Sequence, residues 1–132
     1  MKNTIDPRIL LSALWAFVLF NMIFRDLHEF LNEQYLEELM TLHISEERML
    51  LYGMILEIPI AMVLLALMLP AHLNKWANTL VALLTIFAQW SMLPGADMDD
   101  FFFTAISSLA FFAIIRKAWT LPSAVVLKEI PN

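Results

Sequence analysis

The chain has 132 residues, of which 61% are apolar and only 16% are charged. Soluble domains average near half apolar and a quarter charged residues, so this composition excludes an ordinary water-soluble globule. The net charge of −5 gives no footprint for nucleic acid, and the absence of cysteine excludes disulfides, thiolate metal ligands and cysteine nucleophiles. The length fits a single domain over residues 1–132.

Four apolar stretches predict membrane-spanning helices at about residues 7–25, 48–69, 75–93 and 100–119. Each is close to the roughly 20 residues that a helix needs to cross a hydrocarbon core about 30 Å thick. Asp6 before Pro7 and Ser45 before Glu46 are typical of helix starts, because a side-chain oxygen can cap the first backbone N–H groups. The predicted helix ends are marked by Pro70, Pro94 and Pro122.

The segment between the first two stretches, at about residues 26–43, has apolar residues near helical spacing with acids between them. This pattern predicts an amphipathic helix that lies at the outer membrane interface. The predicted fold is therefore all-α, an antiparallel four-helix transmembrane bundle with an interfacial helix after span 1. The tryptophans are interpreted mostly as an aromatic belt near the span ends: Trp15, Trp76, Trp90 and Trp119.

Lysine and arginine predict the orientation of this multi-pass protein in its membrane. Six fall on one side of the spans and two on the other, which places both termini in the cytoplasm by the positive-inside rule. The six are Lys2, Arg8, Lys75, Arg116, Lys117 and Lys128, and the two are Arg25 and Arg48. Ten of the thirteen acids then face the outside.

Polar side chains inside spans are costly, so each is a functional hypothesis. Such side chains are Asn21, Arg25 and His28, then Glu57, Gln89, Asp100, Thr104 and Ser107. A rise of 1.5 Å per residue places five of them, from all four spans, at about 6–14 Å below the outer surface: Asn21, Glu57, Gln89, Thr104 and Ser107. The sequence predicts a polar chamber open to the outside, with an opposite half that has almost no polar residues apart from Asn78.

Glu57 is the only acid well inside a span. Pro59 removes a backbone hydrogen bond just after it, and small residues one turn away on each side let another helix approach closely. Two interpretations stay open. Glu57 serves as an acid or an anchor for a ligand, tuned by Arg25 or His28. Alternatively, it pairs with one of these two residues and only fixes the register of the bundle.

Two acidic motifs are weaker signals. His28 and His43 each lie near glutamates, but their spacing fits no zinc signature, and we expect neither a metal nor a cofactor. The string Asp97–Asp100 is similar to the Asp-x-Asp-Asp motif of class II terpene cyclases, in which an aspartic acid protonates the substrate. The same string serves equally well at the start of a helix, where acids are favoured.

Three strings in the chain look familiar: Leu14-Trp15-x-Phe17 with Asn21-Met22-Ile23 and Asp26, then Glu57 to Leu65, then Asn74 to Asn78. Together they resemble a family of small, uncharacterised, four-span bacterial membrane proteins that is loosely similar in architecture to the DoxX-like group. The resemblance covers residues 5–121. It implies a compact helical bundle in the bacterial inner (cytoplasmic) membrane, and it implies no reaction.

The first functional hypothesis is a bundle that binds a small hydrophobic molecule with one polar end, such as an isoprenoid, a quinone or a lipid, or acts on it by acid chemistry. Glu57 is the acid or anchor in this hypothesis, and an enzyme of this kind would be an isomerase or cyclase. The ligand-orienting residues are Asn21, Gln89, Asp100, Thr104 and Ser107. The alternatives are a proton-coupled small-molecule transporter and a structural or partner-binding protein. The expected partners are membrane lipids, and a homodimer is left open.

Overall fold

The computed structural model describes residues 5–122, and these form five α-helices without a strand. The helices are α1 (Pro7–Glu29), α2 (Glu33–Thr41), α3 (Glu46–Met68), α4 (Ala71–Ser91) and α5 (Met98–Trp119). The prediction of an all-α chain is confirmed. Two of the lysines used for the orientation, Lys2 and Lys128, lie outside the described residues.

The helix starts follow the capping residues of the sequence. The Asp6 carboxylate accepts a hydrogen bond from the backbone N–H of Arg8 at 2.8 Å, and Pro7 occupies the first helical position. The Ser45 hydroxyl accepts from the backbone N–H of Arg48 at 3.4 Å, at the start of α3. The first N–H groups of a helix have no backbone carbonyl to donate to, and each of these side chains supplies an acceptor for one of them.

The predicted interfacial helix over residues 26–43 has the wrong bounds. Residues 26–29 continue α1, the chain turns over residues 30–32, and the shorter α2 follows. The break lies where the side chain of Asn32 accepts a hydrogen bond from the N–H of Gln34 at 3.1 Å. Asparagine favours such a cap over a helix interior, because its side chain competes for backbone groups.

The four long helices enclose one apolar core. α1 packs against α3 and α5, and α4 packs against α5 and less extensively against α3, so α1 and α4 lie diagonally opposite. The largest buried apolar side chains are Leu11, Trp15, Val18, Met62, Phe111 and Ile114. We call the end of this bundle that carries the last turn of α1, α2 and the α4–α5 loop the acidic end.

Three helices, α1, α3 and α5, are long and apolar enough to cross a membrane. Large apolar side chains also cover the outside of the bundle, with Phe87 73% exposed and Leu109 71% exposed. Such a surface suits lipid rather than water, so the chain has the character of a membrane protein. α4 contains the third predicted span, at residues 75–93, but two asparagines and a lysine in its first turns make it less apolar.

Trp15 does not belong to an aromatic belt, because it is fully buried and packs edge-on against Phe111 at 5.7 Å between ring centroids. Its indole N–H donates to the side-chain oxygen of Asn78 at 2.6 Å. Asn78 in turn donates to the backbone carbonyl of Asn74 at 2.7 Å, and Asn74 donates to the carbonyl of Ala66 at 2.7 Å. The prediction that Asn78 stands almost alone in this half is therefore wrong.

Candidate functional site

A charged contact joins α1 and α5 at the acidic end. Nε of Arg25 lies 2.9 Å from Oδ1 of Asp100 and 3.8 Å from the carboxylate of Glu29. The Nε–H of Arg25 does not point at the Asp100 oxygen, so the contact is an ion pair without a hydrogen bond. The two paired side chains are only 18% and 12% exposed, which keeps most of their attraction unscreened.

A second polar contact joins the same helices one turn deeper. The side-chain amide of Asn21 donates to the carbonyl of Phe103 at 2.8 Å and to the hydroxyl of Ser107 at 2.7 Å. Asn21 and Arg25 are four residues apart on α1, and their partners lie on one stripe of α5, so the two contacts stack along the helix pair. The structure thus brings together four of the predicted site residues.

Four buried side chains at this end of the bundle have polar atoms without a hydrogen-bond partner among residues 5–122. Two of these atoms, Nε of Arg25 and Oδ1 of Asp100, form the ion pair, and the others are both amide atoms of Gln89 and the hydroxyl of Thr104. Gln89 is 5% exposed and Thr104 is 1% exposed. Buried polar groups are almost always satisfied by protein or ordered water, so the free atoms of Gln89 and Thr104 in the described part of the chain are where a bound molecule would find partners.

A polar cleft of about 1250 Å³ opens at the acidic end, between the last turn of α1, α2 and the α4–α5 loop. Its charged lining is mostly negative. Six acids face it, Asp26, Glu29, Glu38, Asp97, Asp99 and Asp100, against the two basic side chains Arg25 and His28. This excess of carboxylates favours a positively charged or hydrogen-bond-donating group over an anion.

An apolar groove of about 410 Å³ lies between α1 and α3. Its walls are Ala16, Leu19, Phe20, Met22, Ile23, Leu56, Ile60 and Val63. Asp26 is the one charged residue of this groove, and it also lines the polar cleft. The apolar groove therefore ends at the carboxylate of Asp26, which also lines the charged cleft.

His28 lies at the rim of the cleft. Its Nε2 is 3.4 Å from the carboxylate of Asp99, and both side chains are substantially exposed. The imidazole also faces the ring of Phe103, with 6.3 Å between centroids. Such an exposed pair contributes little to stability, so His28 remains available to a molecule in the cleft.

Glu57 lies apart from all of these residues. It is exposed in the middle of α3, whereas the buried side of that helix carries Pro59, Met62 and Ala66. The alternative in which Glu57 pairs with Arg25 or His28 is not seen, because these two residues pair with Asp100 and Asp99 in the first turn of α5. The role of Glu57 as an acid or anchor stays a prediction.

Sequence reasoning missed Asp26, Tyr35 and Asn74. Burial raises the pKa of the Tyr35 hydroxyl above its ordinary value of 10.0, and the negative charge of Glu29 raises this pKa further. The four-residue spacing of Asn74 and Asn78 was a usable signal of a shared helix face. Asp26 stood out only as part of a familiar string and not as a site residue, since its place beside the groove depends on how α1 and α3 pack.

No group of three histidine, aspartate or glutamate side chains in the described part of the chain is placed to hold a metal ion. Neither the acids near His28 nor those near His43 form such a set there. The chemistry that this end of the bundle offers is therefore that of carboxylates, one guanidinium, an imidazole and neutral hydrogen-bonding groups.

The fold and its polar end define a small helical protein of membrane character, with a charged cleft at one end of an apolar bundle. Residues 3–125 match a family described as "Family of unknown function (DUF6326)", and the chain belongs to this family. Searches of curated proteins and of solved structures give no match. The expected resemblance to an uncharacterised family agrees with this result, and no link to the DoxX-like group is found.

Proposed function

We propose that the chain is an antiparallel four-span protein of the bacterial inner membrane that binds a small amphipathic molecule at its acidic end. The four long helices cross the bilayer, both termini are cytoplasmic, and the acidic end faces outward with α2 at the interface. The count of lysines and arginines on the two sides supports this orientation.

The observation that carries the binding function is the shared position of Asp26. One molecule can place its hydrocarbon part in the apolar groove between α1 and α3 and its polar end beside Asp26 in the cleft. Mostly apolar cavities with a few polar groups are the usual form of small-molecule sites. The carboxylates of the cleft favour a cationic end, such as an amine.

This ligand keeps the character expected from the sequence, a hydrophobic molecule with one polar end, but moves the anchor from Glu57 to Asp26. Binding is favoured over transport, because buried Trp15 and Phe111 fill the bundle below the cleft. The unpartnered groups of Gln89 and Thr104 lie deeper on α4 and α5, where they could complete the shell of bound water or of a polar end.

The test compares two single-chain amphiphiles with matched tails, dodecylamine and dodecyl sulfate, by calorimetric titration into the protein in lipid nanodiscs. We expect the amine to bind more tightly than the sulfate. Asp26→Asn should weaken amine binding about tenfold to a hundredfold, since a charge-assisted contact is worth about 1.5–3 kcal/mol.

Glu57→Gln is the matched control, because it makes the same chemical change at an exposed position of α3 that does not line the groove. We expect this variant to bind dodecylamine as the wild type does. Loss of binding in Glu57→Gln with full binding in Asp26→Asn would return the anchor to Glu57. Equal affinity of the wild type for the amine and the sulfate would overturn the proposed preference for a cation.

A further inference from the structure

Glu57 occupies an unusual place for an acid. It lies in the middle of α3, the most apolar of the candidate spans, and its side chain is exposed on the outside of the bundle. Within residues 5–122 it takes part in no side-chain hydrogen bond or ion pair, and along the same face Gly53 is exposed and Ala61 is half-buried. Ionisable side chains in membrane spans almost always face a protein interior, a cavity or a partner. Its position therefore favours a polar partner from beyond the described residues.

Gly53, one turn from Glu57 on the same face, gives a second and independent indication. A Cβ atom added to Gly53 would meet no atom within 4 Å, so packing inside the chain does not require a glycine there. Its backbone is helical, and among the described residues only Gly95 has a positive φ. Glycine weakens a helix interior, so its small size is best explained by the close approach of another helix.

The face points outward over most of its length, with Ala61 half-buried between Glu57 and Leu64. Leu50, Gly53, Glu57, Leu64 and Met68 recur at spacings of three, four and seven residues, which place them on one stripe of α3. Leu50 is 65% exposed, Leu64 63% and Met68 75%. The stripe lies opposite the buried Pro59, Met62 and Ala66.

We propose that this stripe is the interface of a homodimer in which α3 packs against α3 of a second copy, with the two Glu57 carboxyl groups in contact. Two copies inserted in the same direction are related by a two-fold axis along the membrane normal, which brings each residue of the stripe opposite its counterpart. A protonated carboxyl group both donates and accepts a hydrogen bond, so two such groups complement each other without a cation. Gly53 then allows the helix backbones to approach.

The experiment uses cysteine crosslinking of the full chain in membranes, with a short membrane-permeable bis-maleimide. The chain has no cysteine of its own, so each introduced thiol reports one position. We expect Leu50→Cys and Leu64→Cys to give a crosslinked dimer. The controls Leu73→Cys and Phe87→Cys lie near the two ends of α4 on its exposed face, and they should stay monomeric.

The role of Glu57 is tested in the Leu50→Cys background. Glu57→Gln should keep the crosslink, because an amide also donates and accepts, whereas Glu57→Leu and Gly53→Leu should lose it. Neither leucine disturbs the core, since both positions are exposed. Crosslinking at Leu73 and Phe87 equal to that at Leu50 overturns the interface, as does capture of a different protein in place of a second copy. An undiminished crosslink in Glu57→Leu overturns the contact of the two carboxyl groups.

Discussion

The indole N–H of Trp15 donates a 2.6 Å hydrogen bond to the side chain of Asn78 across the buried centre of the bundle. The two residues belong to α1 and α4, which lie diagonally opposite and otherwise barely touch. The bond therefore fixes the position of α1 relative to α4 along the bundle axis. Apolar packing connects these two helices only indirectly, through α3 and α5. Asn74 extends the same chain of hydrogen bonds to the end of α3.

We expect Trp15→Phe to lower the free energy of unfolding by about 1–3 kcal/mol, because it leaves the Asn78 side-chain oxygen buried without this donor. Phenylalanine keeps most of the aromatic packing against Phe111, so the loss reports mainly the hydrogen bond. Reversible unfolding in mixed micelles, followed by circular dichroism, measures the change.

Trp90→Phe is the matched control for this prediction. The Trp90 indole donates to the Ser108 hydroxyl at 3.1 Å, but this bond is exposed, so its loss should change the unfolding free energy by less than about 1 kcal/mol. If the two substitutions cost the same, burial of the Trp15 bond is not what makes it important.

The ion pair between Arg25 and Asp100 gives a second prediction. We expect Asp100→Asn to destabilise the chain by about 2–3 kcal/mol, because it leaves a largely buried guanidinium without its closest carboxylate. The partial exposure of both side chains and the nearby Glu29 keep the cost below that of a fully buried pair. Thermal and chemical unfolding of both proteins in the same detergent checks the value.

The double variant Arg25→Met with Asp100→Leu serves as the control for this pair. Apolar replacements remove both charges together, so it should be more stable than Asp100→Asn alone. A double variant less stable than the single one would show that the charges stabilise this end of the bundle beyond their mutual contact.

Much of the fold could be read from residue patterns. The caps Asp6 and Ser45 mark the starts of α1 and α3, because the chemistry of a helix terminus is local to a few residues. The end of α1 and the start of α2 were harder to place. Their boundary depends on Asn32, and a capping residue inside an amphipathic pattern competes with the helix that surrounds it.

The position of the candidate site residues along the helix axes could be predicted from the sequence, but the side of each helix that faces the core could not. Counting residues placed Asn21 and Ser107 at a similar depth, because the rise of a helix is fixed, and their side chains are hydrogen-bonded in the structure. The same count gave a similar depth for Glu57, but α3 is apolar on all sides, so no pattern shows which side faces the core. Asp26 gains its significance only from the groove between two helices that are distant in sequence.

A third prediction tests the apolar half of the proposed site without changing a charge. Ala16 forms part of the groove wall, and Ala16→Leu fills space that the hydrocarbon tail of dodecylamine would occupy. We expect about tenfold weaker binding, a loss of about 1.4 kcal/mol. Calorimetric titration in nanodiscs measures this change.

The control for the groove is Ala105→Leu, which adds the same atoms at an exposed position of α5 away from the groove. It should bind dodecylamine as the wild type does. Unchanged binding in Ala16→Leu would place the tail elsewhere, even if the Asp26 substitution removed binding.

The fourth prediction concerns Tyr35 of α2, which lines the cleft. Its pKa is raised by burial and then by the charge of Glu29, so the folded chain holds this proton more tightly than the unfolded chain. The stabilising contribution of the neutral hydroxyl is full below the ordinary pKa of 10.0, and it is lost as the pH rises through the higher pKa of the folded state.

Absorbance near 295 nm follows the ionisation of this hydroxyl, and a Tyr52→Phe background leaves Tyr35 as the only tyrosine. We expect a titration midpoint above 10.0. Adding Glu29→Gln should lower the midpoint by removing a nearby negative charge, but leave it above the ordinary value because burial is the larger cause. A midpoint at the ordinary value in the starting background would mean that α2 is not held against the cleft, and Tyr35 would then be exposed to water.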